Sequence, residues 1–228
     1  TGETMLISLC IPIHNRLHDL KITMPYLITA AQISPPVEIV ILDYGSTDGL
    51  FEYVNGLDCV TYHRYDSSYF HKAHAFNLVC LSSKGEYFVL LGADAYPHQD
   101  YIKVIRELIS QDCIWMRASE LCGIIACQRQ EFINAGGYDE RFEFYGPEDR
   151  DLDLRLNRRG GKFGLVPNGM MSVIPTSNED KVKCFRLKLS RREMSKLMRP
   201  IYEENKANNV LVANQGGNDC LLHVIAIE

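Results

Sequence analysis

The sequence predicts an α/β fold with a mostly parallel central sheet, and three observations support this prediction. Three short runs are apolar along almost their whole length, which is typical of strands buried on both faces of a sheet. Stretches with a helical spacing of apolar residues separate them, so strands and helices alternate along the chain. Polar residues follow each run closely, as expected where a strand ends. The runs span residues 5–13, 37–42 and 87–91, and the helical stretches span 17–32, 50–54 and 73–81.

The polar residues at the ends of these three runs define a candidate ligand site. Asn15 follows the first run, Asp43 follows the second, and Asp94 lies three residues beyond the third. In an open parallel sheet, ligands bind outside the carboxyl ends of the strands. The sequence therefore predicts that these three side chains face one binding site.

The composition is that of an ordinary globular domain, with 228 residues, 46% hydrophobic residues and a formal net charge of -5. No apolar stretch approaches the ~20 residues that a membrane-spanning helix needs. The eight cysteines form no C-x-x-C pair, and the chain has no N-x-S/T sequon. We therefore expect a cytoplasmic protein whose cysteines are reduced and mostly buried.

One segment, residues 181–199, departs from the acidic balance of the chain. It holds eight Lys or Arg residues and one Glu, a charge of +7 that leaves -12 for the remainder. Its apolar residues recur near helical spacing, which favours a surface helix packed on the domain. Peripheral contact with an anionic membrane is the alternative. Nucleic acid is excluded as a partner because the acidic remainder would repel its phosphates.

The second half of the chain predicts a strand over 123–128, a short helix over 131–135 and a longer helix over 147–159. Gly146 and Pro147 suit the cap and first position of that longer helix, and the acids that follow suit its positive end. Gly160, after two arginines, closes it.

Five motifs occur in order and carry a family resemblance. They read I-P-I-H-N-R at 11–16, D-Y-G-S-T-D-G at 43–49, F-H-K-A-H-A-F-N at 70–77, G-E-Y-F-V-L-L-G-A-D at 85–94 and G-G-Y-D-E-R-F-E-F-Y-G-P-E-D at 136–149. Together they resemble the GT-A glycosyltransferases over roughly residues 5–175. The first two resemble family 2, and the third and last resemble the β-1,4-galactosyltransferase and polypeptide N-acetylgalactosaminyltransferase branch.

The resemblance implies a GT-A fold, a Rossmann-like sandwich typical of nucleotide-diphospho-sugar transferases, over residues 1–180. Residues 1–95 would form the donor half and residues 96–180 the acceptor half. A basic helical C-terminal extension would follow over 181–228.

The resemblance also implies a set of donor contacts. A nucleotide sugar carries a diphosphate whose charge must be neutralised as it leaves. The implied contacts are Pro12, His14, Arg16, Asp43, Phe70, Lys72, Ala93 and Asp94. Asp43 has a second interpretation, an Asx turn with Gly45 and Ser46. Asn77 is expected to support the fold beside the donor rather than to touch it.

A divalent cation, Mn²⁺ or Mg²⁺, is implied with Asp94 as its ligand, because Asp94 matches the last position of the family's D-x-D motif. The first acidic position is Gly92, and no histidine lies between residues 98 and 223. The galactosyltransferase-like enzymes add a histidine ligand in that interval, where this chain offers Thr176 and Ser177. The remaining candidates for a further ligand are Glu179, Asp180 and His223. The alternative for Asp94 is a turn carboxylate without a metal.

The acceptor half supplies the candidate catalytic residue. An attacking sugar hydroxyl must lose its proton, so a carboxylate aimed at it is the simplest general base. By resemblance Asp149 is that base, and Glu148, Tyr145 and Gly146 bind the acceptor. The alternative is the ordinary enrichment of acids at a helix start.

The expected function is transfer of a sugar from a nucleotide-diphosphate sugar, with a UDP-sugar favoured, to a hydroxyl of a glycan or lipid-linked acceptor, with inversion. A non-catalytic sugar-nucleotide or glycan-binding domain of a larger synthase is the alternative. For location, membrane association or a lumenal fragment of a Golgi-type enzyme stand beside the cytoplasmic expectation.

Overall fold

The computed structural model describes residues 5–118, 121, 123–215 and 225–226. Its strands are β1 (Ile7–Ile13), β2 (Val37–Asp43), β3 (Val60–Arg64), β4 (Tyr87–Leu90), β5 (Ala95–Pro97), β6 (Trp115–Ala118), β7 (Ile125–Gln128), β8 (Phe163–Val166), β9 (Met171–Val173) and β10 (Ile225–Ala226). Its helices are α1 (Leu17–Ile33), α2 (Leu50–Val54), α3 (Lys72–Ser82), α4 (Tyr101–Ser110), α5 (Arg129–Asn134), α6 (Glu148–Arg158), α7 (Asn178–Val182) and α8 (Arg191–Ala207).

A central sheet has the strand order β10-β3-β2-β1-β4-β7-β6-β8. The four strands β3, β2, β1 and β4 are parallel, and β7 pairs antiparallel with both β4 and β6. Strands β5 and β9 form a separate antiparallel pair. The predicted α/β sandwich with a mostly parallel central sheet is therefore confirmed.

Side chains alternate across β1 and divide the core into two layers. Ile7, Leu9 and Ile11 pack with α1, α2 and α4 on one face of the sheet. Cys10 packs with α3, α5, α6 and α8 on the other. Every residue of β1 is buried, which explains why the run is apolar on both faces.

Helix α6 forms where the sequence predicts it, with its first residue one position later than expected. Pro147 occupies the N-cap, and Glu148 begins the helix. The acids of its first turn lie at the positive end of the helix dipole, and Arg155 and Arg158 lie in its last turn.

The basic segment contains helices α7 and α8, and α8 packs against α6. Met194 and Met198 are buried on the packed face of α8, whereas Arg192, Lys196 and Arg199 are exposed. A Ser190–Glu193 capping box begins α8. Within the part of the chain that the structure describes, no helix is long and apolar enough to cross a membrane.

The cysteines for which the structure gives a state are free thiols. Cys10, Cys80, Cys113 and Cys127 are buried, Cys184 is half-buried and Cys59 is exposed. Burial raises the pKa of Cys127, which favours the neutral thiol over the nucleophilic thiolate. Cys122 and Cys220 lie outside the described residues.

Candidate functional site

A cleft at the carboxyl ends of β1 and β4 consists of two adjoining cavities. The first has a volume of about 280 Å³ and the second of about 680 Å³. The residues that line both are Lys72, Phe76, Gly92, Asp94, Tyr145 and Lys181. Because the two share these walls, ligands bound in the two cavities would be neighbours.

The structure brings most of the predicted site residues to this cleft. The first cavity is lined by seven of the eight predicted donor contacts: Pro12, His14, Arg16, Phe70, Lys72, Ala93 and Asp94. The second is lined by all four residues predicted for the acceptor side: Tyr145, Gly146, Glu148 and Asp149. Asp43 lines neither cavity, and the roles of these residues stay predictions.

Hydrogen bonds join the turn after β1 to the turn after β2, and residues of the first turn line the first cavity. Asn15 adopts a left-handed backbone, with φ of 53°, and its side-chain oxygen accepts a hydrogen bond from the Thr47 amide at 2.8 Å. The amide of Leu17, at the start of α1, donates to Asp48 at 2.8 Å. These contacts fix the direction in which the intervening Arg16 leaves the sheet.

Asp43 is buried at the end of β2 and is fully occupied by protein partners. One carboxylate oxygen accepts hydrogen bonds from Tyr62 and Arg64, both at 2.6 Å. The other accepts the Ser46 amide at 2.6 Å, which is the Asx turn that the sequence offered as an alternative. Asp43 therefore holds the turn after β2 in place, and its direct contact with a nucleotide stays a prediction.

Arg16 lies beside Asp94 at the mouth of the first cavity. A terminal nitrogen of its guanidinium is 3.7 Å from an Asp94 carboxylate oxygen and donates to the Thr176 hydroxyl at 3.1 Å. Its Nε donates to the buried carboxylate of Asp19. Burial raises the pKa of Asp94, against the opposing effect of the Arg16 charge.

The described residues do not fit a divalent cation held by the protein. Asp94 and Asp180 are the carboxylates that line the first cavity, and no group of three or more His, Cys, Asp or Glu side chains in the described ranges is arranged to hold a metal. Asp180 is exposed and pairs with Lys183 at 2.9 Å, and His223 lies outside the described residues. A hard divalent cation takes several oxygen ligands, so Asp94 is a weak site unless the phosphates of a bound donor supply the other oxygens.

A buried ion pair links the two cavities. The ammonium of Lys72, at the start of α3, contacts the Glu148 carboxylate at the start of α6. The second Glu148 oxygen accepts the Gly146 amide at 2.9 Å. Burial opposes the charged form of Lys72, but the carboxylates of Glu148 and Asp149 outweigh it and raise the pKa of Lys72. Burial also raises the pKa of Glu148, although the Lys72 ammonium opposes that shift.

Tyr145 carries two cations against its ring. The Lys72 ammonium is 4.3 Å and the Arg191 guanidinium 4.6 Å from the ring centroid. Such cation–π contacts position an aromatic ring as well as its cations. Arg191 comes from α8, so the basic segment takes part in the wall of the second cavity.

Asp149 is held in place by groups from three elements. Its carboxylate accepts a hydrogen bond from the Tyr138 hydroxyl at 3.1 Å and lies 3.5 Å from the guanidinium of Arg117. Asn77 fixes Tyr138 through hydrogen bonds to the backbone of Tyr138, which is the supporting role expected for that residue. The carboxylate also lies in the first turn of α6, where the helix dipole favours an anion.

A neighbouring acid, Asp153, has a different environment from that of Asp149. Burial raises the pKa of Asp153 to about 6, the Asp149 charge adds to the shift, and Arg117 opposes it. Asp153 does not line either cavity. Of these two acids, only Asp149 faces the second cavity.

Sequence reasoning missed several residues of the cleft. Lys181, Lys183, Cys184 and Phe185 of the basic segment line the first cavity, although that segment was expected on a surface helix or a membrane. Arg117 and Tyr138, which hold Asp149, were also missed. Two features of the sequence pointed to some of these residues. The G-G-Y-D-E motif contains Tyr138, and the excess of positive charge after residue 180 includes Lys181 and Lys183.

Comparisons with known proteins agree with this geometry. The profile of Glycosyl transferase family 2 matches residues 8–120, and that of the N-terminal domain of galactosyltransferase matches residues 109–177. No curated protein sequence matches the chain significantly.

Solved structures share the fold at low sequence identity. A mannosyltransferase, PcManGT from Pyrobaculum calidifontis, solved with GDP-Man and Mn²⁺, has a TM-score of 0.64 and 17% identity over 76% of this chain and 58% of its own. S. aureus TarS 1-349 has a TM-score of 0.61 and 12% identity over 73% of this chain and 59% of its own. Its complex with UDP has a TM-score of 0.63 and 12% identity over 89% and 72%. This chain thus spans less than two thirds of the first two structures.

The sheet, the strand-end cleft and the two profiles define the chain as a member of the GT-A glycosyltransferases. Within that class it belongs to the family 2-like glycosyltransferases, with a galactosyltransferase-type Glu-Asp block at the start of α6. The family resemblance drawn from the sequence is confirmed.

Proposed function

We propose that this domain transfers a sugar from a nucleotide-diphosphate sugar to an acceptor hydroxyl with inversion. One observation supports this most strongly: a cavity with cationic walls and a cavity containing the Asp149 carboxylate adjoin across Lys72 and Tyr145. The first matches the charge of a diphosphate and the second supplies a base. Solved GT-A neighbours bind GDP-Man or UDP in their own structures, which supports a nucleotide sugar as the donor.

In this proposal Asp149 is the general base. The acceptor hydroxyl gives its proton to Asp149 as its oxygen forms a bond to the anomeric carbon. The bond from that carbon to the diphosphate oxygen breaks, and its electron pair leaves with the nucleoside diphosphate. A single displacement of this kind inverts the configuration. Tyr138 and Arg117 orient the carboxylate to accept that proton.

Glu148, Gly146 and Tyr145 would position the acceptor beside that base. The Glu148 carboxylate is already bound by Lys72 and the Gly146 amide, so its orientation is fixed before an acceptor arrives. A fixed polar group limits the poses that a hydroxyl can adopt and so supports catalysis by orientation. A glycan or a lipid-linked glycan supplies the required hydroxyl.

The leaving diphosphate would be stabilised by the cations of the first cavity. A Mn²⁺ or Mg²⁺ ion is implied by the resemblance, and the mannosyltransferase structure contains Mn²⁺. It is not part of this mechanism because the described residues form no group of three or more ligands that would hold it without a donor. We propose a UDP-sugar as the donor and a cytoplasmic location, with the exposed cations of α8, within residues 181–199, as the peripheral membrane contact.

A screen of nucleotide sugars tests this function. UDP- and GDP-linked hexoses and N-acetylhexosamines would be scored first by thermal stabilisation of the protein, because a ligand at 100 times its dissociation constant stabilises by about 2.7 kcal/mol. The stabilising donors would then be incubated with simple glycan acceptors, and release of the nucleoside diphosphate would be measured with and without acceptor. Acceptor-dependent release is the expected result.

Stabilisation by a donor without any release would favour the second candidate, a non-catalytic sugar-nucleotide or glycan-binding domain. That candidate is favoured by Gly92 and Thr176, which stand where the resembling enzymes carry an acid and a histidine. Failure of every donor to stabilise the protein would contradict both sugar transfer and sugar-nucleotide binding.

A further inference from the structure

We propose that Arg16, assisted by Lys181, neutralises the donor diphosphate in place of a divalent cation held by the protein. This inference rests on the proposed function and names the groups that receive the leaving group. The guanidinium of Arg16 lies between the Asp94 carboxylate, at 3.7 Å, and the Thr176 hydroxyl, at 3.1 Å. Asp94 matches a metal ligand of the resembling enzymes, and Thr176 lies in the stretch where they carry another.

A permanent positive charge thus occupies the space between the two positions. A guanidinium keeps its charge at any physiological pH and presents five N–H donors in a planar fork that matches phosphate oxygens. The hydrogen bonds of Arg16 to Asp19 and Thr176 use two of these donors. The others remain for a ligand in the first cavity, which Arg16 lines.

Gly92 gives a second, independent indication. A Cβ atom added at residue 92 would lie 2.6 Å from a carboxylate oxygen of Asp94, a contact that rotation of the Asp94 side chain could relieve. In the present rotamer the Asp94 carboxylate lies beside the position that the first acid of a D-x-D motif would occupy. In this arrangement the chain offers one carboxylate, already facing Arg16, rather than a pair that could share a metal.

Lys181 supplies the second charge. It is half-buried on α7 and lines both cavities. Its ammonium makes no hydrogen bond or ion pair with any residue that the structure describes. The other lysines that line the first cavity form ion pairs, Lys72 with Glu148 and Lys183 with Asp180. Lys181 is thus the cleft lysine whose charge is available to an incoming anion.

The first test measures nucleotide binding without metal. UDP, GDP and their sugar conjugates would be titrated into the intact chain by calorimetry, once in EDTA and once in millimolar Mn²⁺. We expect at least one nucleotide to bind in EDTA, with an affinity that Mn²⁺ changes by less than about 3-fold. Electron paramagnetic resonance would follow Mn²⁺ itself, and we expect the protein not to retain it in the absence of nucleotide.

Variants then assign the effect to the two cations. Arg16→Gln should weaken binding in EDTA by roughly 30-fold, the scale of a lost charge-assisted hydrogen bond. Arg16→Lys should fall between Gln and the wild type because it keeps the charge but loses the planar fork. Lys181→Gln should weaken binding by about 5-fold. Lys188→Gln is the matched control, because Lys188 is exposed on the same segment and lines neither cavity, and it should bind normally.

The outcomes separate this inference from the function on which it rests. If no nucleotide binds with or without Mn²⁺, the proposed function fails. If binding requires Mn²⁺, or if Arg16→Gln binds as the wild type does in EDTA, the proposed function stands and the role of Arg16 is overturned.

Discussion

Breaking the Lys72–Glu148 ion pair should destabilise the fold strongly and non-additively. The pair joins the start of α3 to the start of α6, and the two side chains are 10% and 1% exposed. Lys72→Met would leave the buried Glu148 carboxylate without its counter-charge, and Glu148→Gln would leave the Lys72 ammonium with Asp149 as the nearby counter-charge.

The expected magnitude follows from this burial. Removing one partner of a buried ion pair costs about 3–5 kcal/mol, because the other charge stays desolvated and unpaired. The double variant should cost less than the sum of the two single variants, with a coupling of about 0.5–3 kcal/mol. Since burial already raises the pKa of Glu148, the Lys72→Met defect should shrink as the pH falls and Glu148 is protonated.

Urea unfolding of the four proteins of this cycle, followed by circular dichroism, measures the coupling. Lys183→Met serves as a control, because Lys183 pairs with Asp180 on the surface, and its midpoint should match that of the wild type. Additive losses for Lys72→Met and Glu148→Gln would refute the argument that this pair is a single buried unit.

Three further predictions concern packing, pH and surface charge. Met198→Ala should cost about 2–5 kcal/mol in urea unfolding because the side chain is buried against Gly146, just before α6, whereas Leu197→Ala, at a position 48% exposed, should change little. Equal losses would contradict the packing of α8. Burial lowers the pKa of His71 and His74, so the folded state favours their neutral forms, and stability present at pH 7.5 should be lost as the pH falls below the unfolded pKa of about 6.5. Lowering the pH to about 5.5 should therefore reduce the melting temperature less in His74→Gln than in the wild type. An equal reduction in both proteins would contradict the role of His74. In a flotation assay at low salt, anionic vesicles should bind the protein through the exposed cations of α8, each contributing about 1 kcal/mol, and Arg192→Glu should weaken this binding. If the protein does not float with the vesicles at low salt, α8 is a packed surface helix without a membrane contact.

Much of the fold could be predicted because the hydrophobic pattern of the sequence matches the burial of the same residues in the structure. The runs that become β1, β2 and β4 are apolar on both faces, and helix α1 shows the spacing of its buried stripe. Strands β6 and β8 were not predicted. Trp115–Ala118 includes a buried arginine, and Phe163–Val166 alternates exposed and buried residues over four positions, so neither run is long enough to stand out.

The site was predictable where a motif lies in one stretch of sequence, and not where distant stretches meet. Asp149 follows from the Glu-Asp block at the start of α6. The contact of Arg16 with Thr176 joins residues 160 positions apart, and no local pattern announces it. Likewise, the charge of the basic segment was visible, but its placement beside the first cavity depends on how the chain returns after β9.

The central claim is that Asp149 removes the acceptor proton, and Asp149→Asn tests it most directly. With the donor and acceptor found in the nucleotide-sugar screen, we predict a transfer rate lower by about 100- to 10,000-fold and a donor affinity within about 3-fold of the wild type. Asp100→Asn, at the start of α4 and outside both cavities, is the matched helix-start control and should transfer normally. A transfer rate for Asp149→Asn equal to that of the wild type would contradict the account.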